Sequence, residues 1–336
     1  FSPAGARIQS VTCIEGRSPL MRGEPCHCPD DQRVDHVLTL IAGDRTIPLE
    51  AAVVARVREA LDALGADTDR PVWLSPGRAC DIPFADLSPC QADAAARAWI
   101  GARVDVVAQP SADRRKRLLV SDMDSTMVTA ETLDELADHA GLREPIAAIT
   151  ARAMNGEIDF VQSLTERVAL LKGLPASAID HTLTRIETMP GATTLVRTMR
   201  AHGAYTVLVS GGFRPFTEQV RAWCGFHEDR GNDVEIMDGQ LTGRLIPPVI
   251  DAKGKLAALI AIAGQRAIPL TCALTVGDGA NDLDMIQAAG LGVAYRAKPL
   301  VAARSRARID HGDLTALLYL QGYRDEEMVA GDRVIG

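Results

Sequence analysis

No run of this sequence is long and apolar enough to cross a membrane: the longest apolar stretch, near Leu256 to Ala263, falls far short of the roughly 20 residues a spanning helix needs. An excess of basic residues is missing as well. With 36 Lys and Arg against 44 Asp and Glu, the formal net charge is −8, which argues against a surface built to displace counterions from a nucleic-acid backbone. A small phosphorylated ligand stays compatible with that charge, because a metal ion and one or two lysines neutralise it locally. Nor does cysteine supply a framework. Seven cysteines, at 13, 26, 28, 80, 90, 224 and 272, are an odd number in a chain too long to need stapling, so free thiols and a cytoplasmic location are expected. Cys26-His27-Cys28 lacks a second ligand pair at zinc-finger spacing. The stretch from Phe1 to Arg33 has no apolar segment of the secretory kind, and residues 1–34 are expected to form a flexible tail. Two further motifs fail. A calcium loop counted from Asp122 needs Gly and Glu where the chain has Met127 and Leu133. The stretch Gly277 to Asp282 carries Asp282 where a dinucleotide fingerprint needs its third glycine, and no P-loop occurs.

What is present is the balance of a globular enzyme, and 336 residues leave room for two domains. Residues 35–112 read as strand, helix, strand, helix, strand. His36 to Ile41 is a short apolar run, and Leu49 to Leu64 puts Val53, Val57, Leu61 and Leu64 on one helical face before Gly65. Pro71 to Leu74, Gln91 to Ile100 and Val104 to Ala108 supply the remaining pieces, and charged residues from Asp113 to Arg117 read as a linker. From residue 113 onward, three apolar strands each open into a polar cluster. Leu118 to Val120 leads to Asp122 and Asp124, Thr206 to Val209 to Ser210 and Gly211, and Cys272 to Val276 to Asp278. Buried parallel strands deliver residues to a crevice in this way. A helical block at about 127–188 lies between the first two deliveries. Within it Asp159 and Gln162 form a capping-box start before the apolar stripe Phe160, Leu164, Val168 and Leu171. Such a block beside a site makes a cap. Val234 to Leu245, with Asp238-Gly239 at its centre, reads as a hairpin.

Asp122 and Asp124 lie two positions apart, so on an extended chain their carboxylates lean to one face and repel. A divalent cation, Mg²⁺ by its preference for carboxylate oxygen, relieves that repulsion, and Asp278 from another strand completes the ligand set. Asp282 is either a support behind the metal or the N-cap of the helix that follows; Asn281 either holds phosphate or its own loop. Read alone, Glu131 and Arg167 are solvated helix charges, and Met154 and Phe160 are core.

The Asp122 to Thr126 stretch, the Ser210-Gly211 turn, a lysine near 253 and the Gly277 to Asp282 stretch, in that order, resemble the four motifs of the haloacid dehalogenase superfamily over about Leu118 to Tyr323. Within it, Glu131, the run Ala153 to Phe160 and the run Ser163 to Leu171 are similar to the phosphoserine phosphatases. The resemblance implies a Rossmann-like parallel α/β sheet with helices on both faces and an inserted helical cap, spanning 113–336. It also implies a small N-terminal ACT-like α/β domain at 35–112. The implied reaction is hydrolysis of O-phosphoserine, the last step of serine biosynthesis. Asp122 attacks phosphorus, since a carboxylate is ionised at neutral pH without help from a base. Asp124 protonates the serine oxygen and then activates water. Ser210, the Gly211 N–H and one lysine, Lys253 in preference to Lys255, hold the phosphoryl oxygens. Glu131, Met154, Phe160 and Arg167 face the substrate, with Arg167 for its carboxylate and Glu131 for its ammonium. Neither nucleic acid nor membrane is an expected partner, and homodimerisation is left open. The rival readings are another phosphomonoesterase or phosphotransferase of the same superfamily and a non-catalytic amino-acid sensor.

Overall fold

The computed structural model describes residues 36–43, 46–100, 103–154 and 157–331, apart from the side chain of Met154. The expected tail at 1–34, with Cys26-His27-Cys28, lies outside the described residues, as do Asn155 and Gly156.

The first layer runs β1 (His36–Ala42), α1 (Ala51–Ala63), β2 (Asp67–Thr68), β3 (Val72–Ser75), β4 (Ala79–Ala85), α2 (Pro89–Arg97) and β5 (Val104–Pro110). β1 lies between β4 and β5, antiparallel to both. Sequence reading missed β4, whose Asp81 and Pro83 break the apolar alternation that marks a strand. Pro83 is tolerated in register opposite Val37, and Asp81 is buried because Arg114 and Thr39 bind it. α1 turns Val54, Val57 and Leu61 inward, while Leu64, expected on that face, is its C-cap and 56% exposed. α2 starts at a Ser88–Gln91 capping box with Pro89 in its first turn.

The second layer continues with β6 (Leu118–Ser121), α3 (Thr132–His139), α4 (Arg143–Met154), α5 (Phe160–Leu170), α6 (Ser177–Leu183), α7 (Ala192–Ala201), β7 (Tyr205–Phe213), α8 (Arg214–Cys224), β8 (Glu228–Met237) and β9 (Gln240–Ile246). It closes with α9 (Ala252–Gln265), β10 (Ala273–Gly277), α10 (Leu283–Ala288), β11 (Leu291–Tyr295), α11 (Pro299–Arg304), β12 (Ala307–Ile309) and α12 (Ala316–Leu320). Its strands stand in the order β12-β11-β10-β6-β7-β8-β9, all parallel except the β8–β9 edge pair. β6, β7 and β10 are continuous apolar runs because helices cover both faces, and Leu118, Val120, Val207, Val209 and Leu274 are fully buried. The β8–β9 hairpin turns on Asp238 and Gly239, both at positive φ, the conformation a two-residue turn between antiparallel strands requires. No helix among the described residues is long and apolar enough to cross a membrane.

The charged stretch Asp113 to Arg117, expected as a linker, is instead drawn into the junction. The Arg114 guanidinium donates to both Asp81 oxygens, to Thr39 Oγ1 and to the carbonyls of Tyr319 and Leu320. The Lys116 ammonium donates to the carbonyls of Asp113 and Thr271. Across the same junction the Asp105 carboxylate on β5 accepts from the amides of Asp310, His311 and Gly312.

Candidate active site

The order of strands reverses at β6, with β7 on one side and β10 on the other, so the crevice beyond its carboxyl end is the natural ligand position. Register levels the three strand ends: Ser121 stands opposite Leu208 on β7 and Val276 on β10. Asp122, held by its N–H to the Val276 carbonyl at 3.0 Å, therefore emerges beside Ser210 and Asp278.

Around Asp122 the carboxylates of Asp278 and Asp282 gather, with one ligand-capable oxygen from each within 4.8 Å of the others. All three residues are buried. The Lys255 ammonium lies 2.6 Å from Asp122 Oδ1 and 2.6 Å from Asp282 Oδ1, with only 1% of its side chain exposed. Thr126 Oγ1 donates to Asp278 at 3.4 Å, and the exposed Lys298 ammonium stands 3.9 Å from the same carboxylate. A Cβ on Gly277 would run into the Asp282 carboxyl group, so only glycine lets the strand end pass it.

Two expectations need correcting. Asp124 does not join the cluster. Its Oδ1 accepts from the Thr132 N–H at 2.8 Å and its Oδ2 from Ser210 Oγ at 3.3 Å. The expectation assumed an extended chain, but beyond Ser121 the backbone curls. The amides of Thr126, Met127 and Val128 all fold back onto the Met123 carbonyl and Ser125 takes positive φ, which turns the second carboxylate away from the first. In place of Asp124, Asp282 belongs to the group; its carboxylate takes Lys255 and the Gly279 N–H rather than capping α10. Likewise the lysine in the site is Lys255 and not Lys253. Both follow the Asp251 N-cap of α9, but two residues along a helix differ by about 200° around its axis. One faces the carboxylates and the other is exposed.

Burial dominates the electrostatics. It pushes the Asp124 carboxyl up to about 7, with help from the charges of Glu131 and Asp122. It pushes Asp278 up to about 6, again with Asp122 adding to the rise, and it raises Asp282 in the same way. Burial lowers the pKa of Lys255, but the carboxylates of Asp122 and Asp282 outweigh it and raise it above the usual lysine value. One ammonium against three crowded carboxylates leaves negative charge uncompensated. A hard divalent cation suits the oxygen donors of Asp122, Asp278 and Asp282.

The cap reaches this crevice. A Cβ on Gly211 would come within 2.9 Å of Phe160 Cζ, which places the aromatic ring over the β7 turn. Further along α5, the Arg167 side chain is 16% exposed, with Asp134 its nearest acid at 3.9 Å. Its Nε is buried without a hydrogen-bond partner. Desolvation lowers its affinity for protons while Asp134, Glu131 and Asp124 oppose that fall. Glu131 is exposed and accepts from Ser125 Oγ at 2.8 Å. Asn281 crowds against Gly279. Met154 closes α4, and its side chain lies outside the described residues. Sequence reading passed over Thr132, whose amide holds Asp124, and Asn232, which is fully buried and bonded to the Gly211 carbonyl. Neither carries a motif; a lone Gly-Asn pair at 231 and 232 was the only signal of the second.

A family model described as haloacid dehalogenase-like hydrolase matches residues 119–287. The chain is 38% identical over 301 residues to a phosphoserine phosphatase of Streptomyces coelicolor, covering 88% of this chain and 72% of that protein. It is similar to the unliganded crystal structure of a probable phosphoserine phosphatase from Vibrio cholerae, with a TM-score of 0.69 and 30% identity over 86% of this chain and 87% of the other. A solved phospho-aspartyl intermediate analogue of a phosphoserine phosphatase superposes with a TM-score of 0.57 at 36% identity, covering 61% of this chain and 98% of its own.

Proposed function

The chain belongs to the haloacid dehalogenase-like hydrolases, and from that premise we propose that it hydrolyses O-phosphoserine to serine and phosphate through an aspartyl-phosphate on Asp122. Asp122 lies beside a charged lysine and needs no base to attack phosphorus. Serine leaves as an alkoxide, which must be protonated. A carboxyl raised to about 7 carries that proton near neutrality, so Asp124 donates to the departing oxygen. It then takes a proton from the water that opens the acyl phosphate. The amide of Thr132 holds Asp124 in place through both steps, and the Ser210 hydroxyl, which donates to Asp124 in the free site, turns to the phosphoryl group when substrate binds. Lys255, Ser210 and the Gly211 N–H meet the phosphoryl oxygens, where charge accumulates in transfer. Asp122, Asp278 and Asp282 would hold a divalent cation, which we take to be Mg²⁺, and it would supply neutralisation of phosphoryl charge. On the same reading, residues 35–112 form a small α/β domain and 113–336 the phosphatase domain with its cap at about 127–188.

The choice of phosphoserine rests on Arg167. An arginine largely removed from water, with an unpaired Nε, favours a ligand carboxylate that restores the missing bond. Glu131, beside Asp124 and contributing to its field, is available to the ammonium of the same ligand, and Phe160 covers the carbon between. Arg167→Ala is expected to lower kcat/KM for phosphoserine about a hundredfold, the worth of a charge-assisted pair. Hydrolysis of an aryl phosphate, which lacks the carboxylate, falls less than about threefold. Equal losses on both substrates would remove the assignment of phosphoserine.

A further inference from the structure

We propose that Asn232 is a positioning residue for the phosphoryl grip, acting through Gly211 and Ser210; the proposal rests on the reading of the site given above. Phe213 lies four positions after Val209 on β7, but their partners on β8, Arg230 and Asn232, are only two apart. The excess forms a bulge made of Ser210, Gly211 and Gly212, pushed out of the ladder toward the crevice. A bulge of two glycines has little rigidity of its own, and a grip on phosphate needs its donors fixed in advance.

Asn232 provides the fixing. Its Nδ2 donates to the Gly211 carbonyl at 2.8 Å, replacing the ladder bond that the bulge gives up. Its Oδ1 accepts from the Ile250 N–H at 2.7 Å, just ahead of α9. The amide has one workable orientation, because a carbonyl requires the donor end and an N–H the acceptor end. The Gly211 carbonyl and the Gly212 N–H belong to the same rigid peptide unit. Holding the oxygen end therefore sets the N–H, which donates to Ser210 Oγ at 2.8 Å. The Ser210 hydroxyl, with its acceptor side thus occupied, donates to Asp124 Oδ2 at 3.3 Å. One buried side chain links the helix that carries Lys255, the glycine bulge and the carboxyl of Asp124. The crowding is steric as well: a Cβ on Gly212 would meet Met123 Cε at 2.9 Å and Asp124 Oδ2 at 3.1 Å, so only glycine fits there beside the carboxyl of Asp124.

The test uses the full chain and two variants. Asn232→Asp keeps the size and the acceptor for Ile250 but sets an oxygen against the Gly211 carbonyl; Asn232→Ala removes both bonds. Inhibition constants for inorganic phosphate and for L-serine are measured against hydrolysis of an aryl phosphate, since such constants do not depend on the fraction of protein that is folded. The phosphate constant is expected to rise about tenfold or more in both variants, the effect of one misplaced buried hydrogen bond, while the serine constant stays within about twofold. An unchanged phosphate constant, or equal rises for phosphate and serine, would overturn the proposal. If serine fails to compete even with the parent protein, the phosphoserine reading falls, and the phosphate constants still decide the role of Asn232.

Discussion

Asp124 stands two positions from Asp122 in sequence, yet the turn between them gives the two carboxyls opposite tasks. Asp122 sits 2.6 Å from the Lys255 ammonium, the contact that turns it into the crevice. No cation is in ion-pair contact with Asp124 among the described residues. Burial, then the charges of Glu131 and Asp122, hold its pKa near 7. The sign of the consequence is fixed: a carboxyl raised to that value keeps its proton below about pH 7 and loses it above. The first step needs that proton, so kcat/KM for phosphoserine is expected to fall as pH rises through about 7, by about tenfold per unit. A cation on Asp122 cancels that carboxylate's share of the rise; burial and Glu131 remain, and the limb stays above the ordinary carboxylate range. An aryl phosphate with an acidic leaving group has no need of the proton and should show no such limb. Parallel alkaline limbs for the two substrates in a pH profile would contradict the role of Asp124. At this scale the sequence disclosed which residues carry chemistry but not which way they face. Lys253 and Lys255 are indistinguishable until the phase of α9 is known, and the leaning of Asp122 toward Asp124 was an assumption about backbone that the curl at Met123 voids.

At the scale of elements, the cap helix α5 carries Phe160 near one end and Arg167 near the other, and its position is set by the β8–β9 hairpin. The Gly173 and Leu241 amides and the Ala176 amide tie the segment after α5 to β9, through the carbonyls of Leu241, Leu174 and Gly239. Gly243 sits at φ +81, and a Cβ there would come within 3.0 Å of the Ala169 carbonyl and of Lys172 Cβ. Gly243→Val is disfavoured by φ and by space together, at a cost of about 1–3 kcal/mol, and it drives the hairpin away from the helix two residues past Arg167. We expect kcat/KM for phosphoserine to fall roughly tenfold, chiefly through KM, while aryl phosphate turnover changes little; steady-state kinetics on both substrates reads the split. Unchanged phosphoserine kinetics would show that the hairpin does not place α5. The hairpin itself was legible, because Asp238-Gly239 permits two successive positive φ values. Its work was not, since the contact that matters joins residues about 70 positions apart and leaves no local pattern.

At the scale of the whole molecule, the second layer is a seven-stranded sheet whose strand order makes β6 the point of reversal, and that order brings Asp122, Ser210 and Asp278 together from strands distant in sequence. Strand existence was legible there, because runs such as Leu118 to Val120 are apolar on both faces; the convergence followed from a general rule about parallel sheets. The first layer was less legible. β4 is stabilised by Arg114 through Asp81, a buried ion pair formed across 33 residues, and a sequence pattern that scores apolar alternation cannot see a strand held by charge. The junction residues Asp105 and Arg114 likewise make sense only once both layers are present. The account as a whole stands on Asp122 as the group that takes the phosphoryl. The direct measurement is quenched-flow transfer of labelled phosphate from phosphoserine in the presence of magnesium, followed by identification of the labelled residue. An acid-stable, hydroxylamine-sensitive phosphoryl group on Asp122 is predicted, with label and turnover both lost in Asp122→Asn. Turnover retained in that variant, or label on another residue, would contradict the account.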